Sequence, residues 1–166
     1  MNRIAAKRAF VTAEMLQGGD FDREEKLLAS LARVQTELGS WQVAEVDRFI
    51  RDRDSRRFEH FQRATWRLDR IDLDRCVVWW QGGMGQLGNW ATGKLLEVAD
   101  KFKLKQPKES PVWNMQKFAE LFSWQLPLIV FVVDPWTFAI DDGCHRAVAM
   151  TLAGVTSSNA WIGTLP

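Results

Sequence analysis

Two short apolar runs in the last third of the chain limit the fold more than any other feature. The run from Pro127 to Val133 is rich in β-branched residues, and a second run from Thr137 to Ile140 follows after an Asp-Pro break. Short apolar runs bounded by turn residues predict strands, and the brief break predicts a hairpin. From Gly143 onward the apolar spacing becomes helical, and Gly154 ends it. The sequence therefore predicts a hairpin followed directly by a helix.

The junction between this hairpin and the helix concentrates reactive side chains in six consecutive residues: Asp141, Asp142, Gly143, Cys144, His145 and Arg146. The first turn of a helix exposes backbone N–H groups and carries partial positive charge, so it favours an anion. Arg146 and His145 can add charge-assisted contacts, and Gly143 has no side chain to obstruct a ligand. The junction therefore predicts a phosphate-binding site.

The acidic pair and the thiol leave alternatives open. Asp141 or Asp142 could cap the helix, hold Arg146, or bind a divalent cation that accompanies a nucleotide. The field at a helix start favours a thiolate at Cys144, whereas the two neighbouring carboxylates disfavour it. A purely structural interpretation, with a cap, a buried small thiol and a solvated arginine, also remains.

The same residues carry a family resemblance. Gly143, Arg146 and Ala149 fill the pattern Gly-x-x-Arg-x-x-Ala after a strand that ends in acidic residues, which resembles the signature of the ParB/sulfiredoxin superfamily. The tetrad Gly143–Arg146 also resembles sulfiredoxin itself. The resemblance implies a nucleotide site for CTP or ATP with Mg²⁺, in which His145 and Arg146 contact phosphate. In sulfiredoxins the matching cysteine, here Cys144, is the catalytic thiol.

Three functions follow as expectations. The leading one is a nucleotide-binding or other phosphate-binding protein, in which Asp141 or Asp142 positions a metal or a substrate hydroxyl; phosphoryl transfer and nucleotide hydrolysis both stay open. An alternative is a non-catalytic regulatory or DNA-associated module. A third is a thiol reductase that uses Cys144. Whether the protein is an enzyme is left open at this point, because a fold does not determine a function.

A second glycine-rich stretch precedes Lys94. Gly88, Gly93 and Lys94 have the spacing of a P-loop, but Leu95 stands where the hydroxyl ligand of Mg²⁺ belongs. The preceding strand candidate, Cys76 to Trp80, also ends too early for a P-loop. We instead expect a loop before a helix from Ala91 to Lys103, with Lys94 either as a further phosphate ligand or as a solvated surface lysine.

Composition restricts the class of protein. With 166 residues, 46% of them hydrophobic, the chain is long enough for one good core. The net charge of +1 gives no general attraction to DNA, and the arginines between Asp47 and Arg75 alternate with acidic residues. The two cysteines and two histidines show no metal-ligand spacing. We expect a cytoplasmic protein, because no apolar segment is long enough for a signal peptide or a membrane span.

The first third of the chain has helical periodicity. Helices are predicted from Asn2 to Gln17, from Phe21 to Leu38 with Asp20 as cap, and from Trp41 to Phe61. An alternating pattern from Trp66 to Leu73 predicts the first strand. The expected fold is α+β: a small mixed sheet flanked by helices over residues 63–166, with an N-terminal helical extension over residues 1–62. The apolar helix stripe can pack on the sheet domain or on a second copy, so a homo-oligomer stays open.

Overall fold

A computed structural model describes residues 2–17, 19, 21–78 and 92–166. It contains helices and a mixed sheet, which confirms the α+β prediction. The chain divides into two compact units: one comprises residues up to Arg67 together with Gly163–Pro166, and the other comprises Leu68–Ile162.

The N-terminal unit contains four helices, which are α1 (Asn2–Leu16), α2 (Glu24–Ser40), α3 (Val43–Arg53) and α4 (Ser55–Arg63). α2 has a buried apolar stripe at Leu27, Leu31, Val34 and Leu38, whereas Leu28 is 38% exposed. Buried residues of the other helices, among them Phe10, Val46, Ile50 and Phe61, complete the core of this unit. The helical extension is therefore confirmed.

The largest differences from the predicted helices of this unit are a break at Asp54 and a later start of α2. The single helix expected from Trp41 to Phe61 is broken at Asp54, whose extended backbone ends α3 and begins α4. The Oδ1 atom of Asp54 accepts a hydrogen bond from the Arg57 backbone N–H at 2.9 Å, which is a side-chain cap. α2 begins after Arg23, which makes no side-chain cap hydrogen bond. The predicted cap, Asp20, lies outside the described residues.

Within the described residues, the sheet has six strands in the order β1-β6-β4-β5-β2-β3. They are β1 (Thr65–Asp72), β2 (Cys76–Val78), β3 (Gly93–Lys94), β4 (Leu128–Asp134), β5 (Thr137–Asp142) and β6 (Ser157–Thr164). β4 and β5 pair antiparallel, as the predicted hairpin requires, whereas β2 runs parallel to β5 and antiparallel to β3. β6 was not predicted, although it lies between β1 and β4.

Four further helices and a short 3-10 helix (Leu73–Arg75) belong to the C-terminal unit. The helices are α5 (Leu95–Lys105), α6 (Val112–Gln116), α7 (Ala119–Gln125) and α8 (Cys144–Leu152). α5 therefore starts later than the predicted Ala91. The side chains of α8 from Ala147 to Met150 are fully buried, and α5, α6 and α7 all pack against this helix. This packing holds the start of α8 at the end of β5.

Within the described residues, none of the helices combines the length and the apolar character needed to span a bilayer.

Candidate anion site at the start of α8

Gly143 makes the connection between β5 and α8. Its backbone is left-handed, with φ 93° and ψ 21°, and it occupies the N-cap position without a side-chain cap hydrogen bond. The first intrahelical bond runs from the Ala147 N–H to the Gly143 carbonyl at 2.8 Å. Gly143 therefore occupies the N-cap position that was considered for Asp141 or Asp142, and both acidic residues belong to β5.

Arg146 is turned back over this connection and is only 7% exposed. Its Nη2 atom donates to the Asp142 Oδ2 at 3.4 Å and to the Pro127 carbonyl at 3.5 Å. A Cβ built on Gly143 would lie 2.7 Å from that Nη2 and 2.6 Å from a methyl carbon of Leu128. Gly143 therefore supplies both the left-handed backbone and the space that the guanidinium occupies. The prediction of a solvated arginine is wrong. The structure instead contains the alternative in which an acidic residue holds Arg146.

Two buried nitrogen atoms of this turn lack hydrogen-bond partners among the described residues. They are Nε of Arg146 and Nε2 of His145. A guanidinium offers five donors, and a buried donor left without a partner costs about 1–3 kcal/mol or more if charged. The two contacts that Arg146 does make are at the long end of the hydrogen-bond range. Adjacent residues at a helix start thus present unsatisfied polar atoms, and an anion would satisfy them.

Burial changes the protonation of His145. Loss of hydration lowers its pKa from the ordinary value of 6.5, the Asp142 carboxylate raises it and the Arg146 guanidinium lowers it. Since the net direction is downward, burial favours the neutral imidazole. A neutral imidazole can donate from one ring nitrogen and accept at the other. An anion beside the ring would favour its protonated form.

Both thiols are enclosed. Cys144 is 6% exposed, and its Sγ atom lies 4.0 Å from the Ile140 carbonyl oxygen on β5. Cys76 is fully buried on β2, where desolvation, followed by the charge of Asp74, raises its pKa to about 12. Reactive thiols are usually partly exposed and next to positive charge, so neither environment is of the reactive type.

The remaining predicted site residues lie at different distances from this turn. Asp141 is half-buried at the end of β5, next to Asp142. Lys94 is exposed on β3 and pairs with Val77 of β2, so β2 separates it from β5. Gly88, the first glycine of that motif, lies outside the described residues. In the part of the chain that the structure describes, no three His, Cys, Asp or Glu side chains cluster as potential metal ligands.

Sequence reasoning missed the start of β4 as part of this site. The carbonyl of Pro127 accepts from Arg146, and the side chain of Leu128 closes the space beside Gly143. The antiparallel register places Ile129 opposite Asp142, which brings the beginning of β4 beside the end of β5. The predicted hairpin already implied this arrangement, because antiparallel pairing of its two strands places the start of β4 beside the end of β5.

No protein-family model, no curated protein and no solved structure matches this chain.

Proposed function

We propose that this protein binds a phosphate-bearing ligand at the turn between β5 and α8. One observation carries the proposal: Nε of Arg146 and Nε2 of His145 are buried and lack hydrogen-bond partners among the described residues. Buried polar groups are almost always satisfied, and each exception calls for an explanation such as an ion or a ligand. A phosphate group has the charge and the several acceptor oxygens that these atoms need.

The proposed roles follow from the contacts. Arg146 neutralises the ligand charge through its guanidinium, and His145 contacts a second phosphate oxygen through Nε2. The amides of the first turn of α8 add the partial positive charge of a helix start. Because Gly143 has no Cβ, the Arg146 guanidinium can lie directly against this helix start.

The resemblance to the ParB/sulfiredoxin superfamily makes a nucleotide, CTP or ATP with Mg²⁺, the first ligand to test. Mg²⁺ that is held mainly by ligand phosphates needs only one or two protein carboxylates. Asp141 and Asp142 are the carboxylates at this turn. They fit a cation that arrives with a nucleotide, and phosphoryl transfer or hydrolysis would then require one of them beside the ligand.

A non-catalytic binding or regulatory module is the second candidate. It is favoured by the Asp142–Arg146 ion pair, since a carboxylate oxygen engaged with an arginine is less available to a metal ion or a substrate. The third expectation, a thiol reductase, is the least supported, because the Cys144 thiol is 6% exposed. Such an enzyme has to bring this sulfur into contact with its substrate.

Thermal unfolding with inorganic phosphate, pyrophosphate, ATP and CTP, each with and without Mg²⁺, tests the proposal. A ligand present at about 100 times its dissociation constant stabilises the folded state by about 2.7 kcal/mol, which is a readily measured shift in the midpoint. Arg146→Ala should abolish the shift and Arg146→Lys should reduce it, because lysine lacks the planar fork of donors.

Arg33→Ala is the matched control, since it removes the same charge from an exposed position on α2. This variant should keep the full shift. A shift that survives in Arg146→Ala would place the ligand elsewhere on the protein. If none of the four anions stabilises the wild-type protein at millimolar concentration, phosphate binding at this turn is refuted.

A further inference from the structure

We infer that Asp142 is a tethered competitor for the ligand site: its carboxylate holds one half of the Arg146 donor pair, so that only an anion able to displace it can bind. This inference rests on the proposed function and deepens it. It identifies the class of ligand as a dianionic phosphoryl group, in preference to monoanionic carboxylates.

The geometry of the guanidinium carries the first step. Nε and Nη2 lie on the same edge of an arginine and together form the two-pronged donor that binds two oxygen atoms of one anion. In this protein Nη2 is engaged by the Asp142 Oδ2 at 3.4 Å, whereas Nε has no partner among the described residues. Asp142 therefore occupies half of the donor pair and leaves the other half unsatisfied.

The second step concerns the strength of this internal contact. The two side chains lie four residues apart in the sequence and are only 9% and 14% exposed, so solvent screens the pair weakly. The contact is nevertheless long, and the same Nη2 is shared with the Pro127 carbonyl at 3.5 Å. An incoming anion with two oxygens on Nε and Nη2 makes shorter contacts and satisfies the vacant donor. Displacement of Asp142 is thus favourable for the right ligand.

The third step sets the ligand class. Asp142 carries one negative charge and is covalently attached beside Arg146, so it acts at a high effective concentration. A free carboxylate of equal charge has no advantage that offsets this attachment. A phosphate dianion brings twice the charge and further oxygen atoms for His145 Nε2, which also lacks a partner among the described residues. The site therefore selects its ligand by negative charge as well as by the arrangement of the ligand's oxygen atoms.

Titration calorimetry of the full chain with inorganic phosphate and with acetate measures this selection. Asp142→Asn keeps the side-chain shape and removes the competing charge. Phosphate affinity is expected to rise about tenfold, because a hydrogen bond to a charged group of this kind contributes enough for one factor of ten. Acetate affinity is expected to rise from undetectable to measurable. Asp100→Asn, on the exposed face of α5, makes the same charge change and should alter neither affinity.

Two further measurements exclude a merely structural role. In an Arg146→Gln background, Asp142→Asn should give no gain, because the competitor has lost its target. The His145 ring resonances should titrate at lower pH in Asp142→Asn than in the wild type, since the Asp142 carboxylate raises the pKa of His145. Asp142→Ser is measured in parallel, so that a folding defect in one of the two Asp142 variants does not decide the result.

The outcomes separate this inference from the proposed function. Wild-type protein that binds phosphate, combined with charge-removing variants that bind it no more tightly, overturns the competitor role and leaves phosphate binding intact. An equal gain in Asp100→Asn also overturns it, because the effect would then be one of net charge. Wild type and variants that all fail to bind phosphate refute both.

Discussion

Replacement of Gly143 by alanine is expected to destabilise the C-terminal unit by about 2–5 kcal/mol, from two separable contributions. The backbone at Gly143 has φ 93°, and a residue with a Cβ in the left-handed region costs about 1–2 kcal/mol. The new Cβ would also lie 2.6 Å from Leu128 Cδ2, and overpacking of this kind costs about 1–3 kcal/mol. Leu128 is fully buried, so its side chain cannot simply turn aside.

Gly154 separates the two contributions. Its backbone is also left-handed, with φ 82°, but a Cβ placed there meets nothing within 4 Å among the described residues. Gly154→Ala should therefore cost only the backbone part, about 1–2 kcal/mol. Urea unfolding of both variants, followed by circular dichroism and tryptophan fluorescence, gives the difference. If the free energy of unfolding falls by the same amount in both variants within experimental error, the close approach of Leu128 and Arg146 to Gly143 is refuted.

Three other predictions concern protonation, thiol access and helix propensity. Because burial lowers the pKa of His145 below 6.5, the unfolded chain binds this proton more readily. The free energy of unfolding should therefore fall as the pH drops below about 6.5, and it should level off below the pKa that His145 has in the folded protein. In denaturation curves measured across that pH range, His145→Gln should lack this pH dependence. Cys76 and Cys144 should react slowly with a thiol reagent at neutral pH and rapidly in urea, and fast labelling of the folded protein would contradict their burial. Gly39→Ala, within α2 and with open space around it, should stabilise the N-terminal unit by up to about 1 kcal/mol, and any loss of stability would count against the helical assignment.

Local patterns predicted the elements whose partners are close in sequence. The hairpin of β4 and β5 and the start of α8 were predicted because apolar runs, an Asp-Pro break and Gly143 lie within one short stretch. The junction of α3 and α4 was missed even though its residues are close in sequence. There the apolar periodicity continues across Asp54, whereas the capping bond from Arg57 interrupts the helix.

Elements whose burial depends on distant neighbours were harder to predict. β6 has no clear alternation in its sequence, and Ala160, Trp161 and Ile162 are buried in succession, so both faces of this strand are covered. A strand covered on both sides need not show the alternating pattern by which a half-exposed strand is found. The short helices α6 and α7 pack against α8 and likewise carried no separate prediction.

The sequence by itself determined which chemical groups stand at the turn before α8 and that this turn requires a glycine. It did not determine the position of the Arg146 side chain, since an arginine in a first helical turn is usually solvated. That position depends on the beginning of β4, where the Pro127 carbonyl and the Leu128 side chain meet the guanidinium. The antiparallel pairing of β4 with β5 brings these groups together, and only the tertiary structure leaves Nε of Arg146 buried without a partner among the described residues.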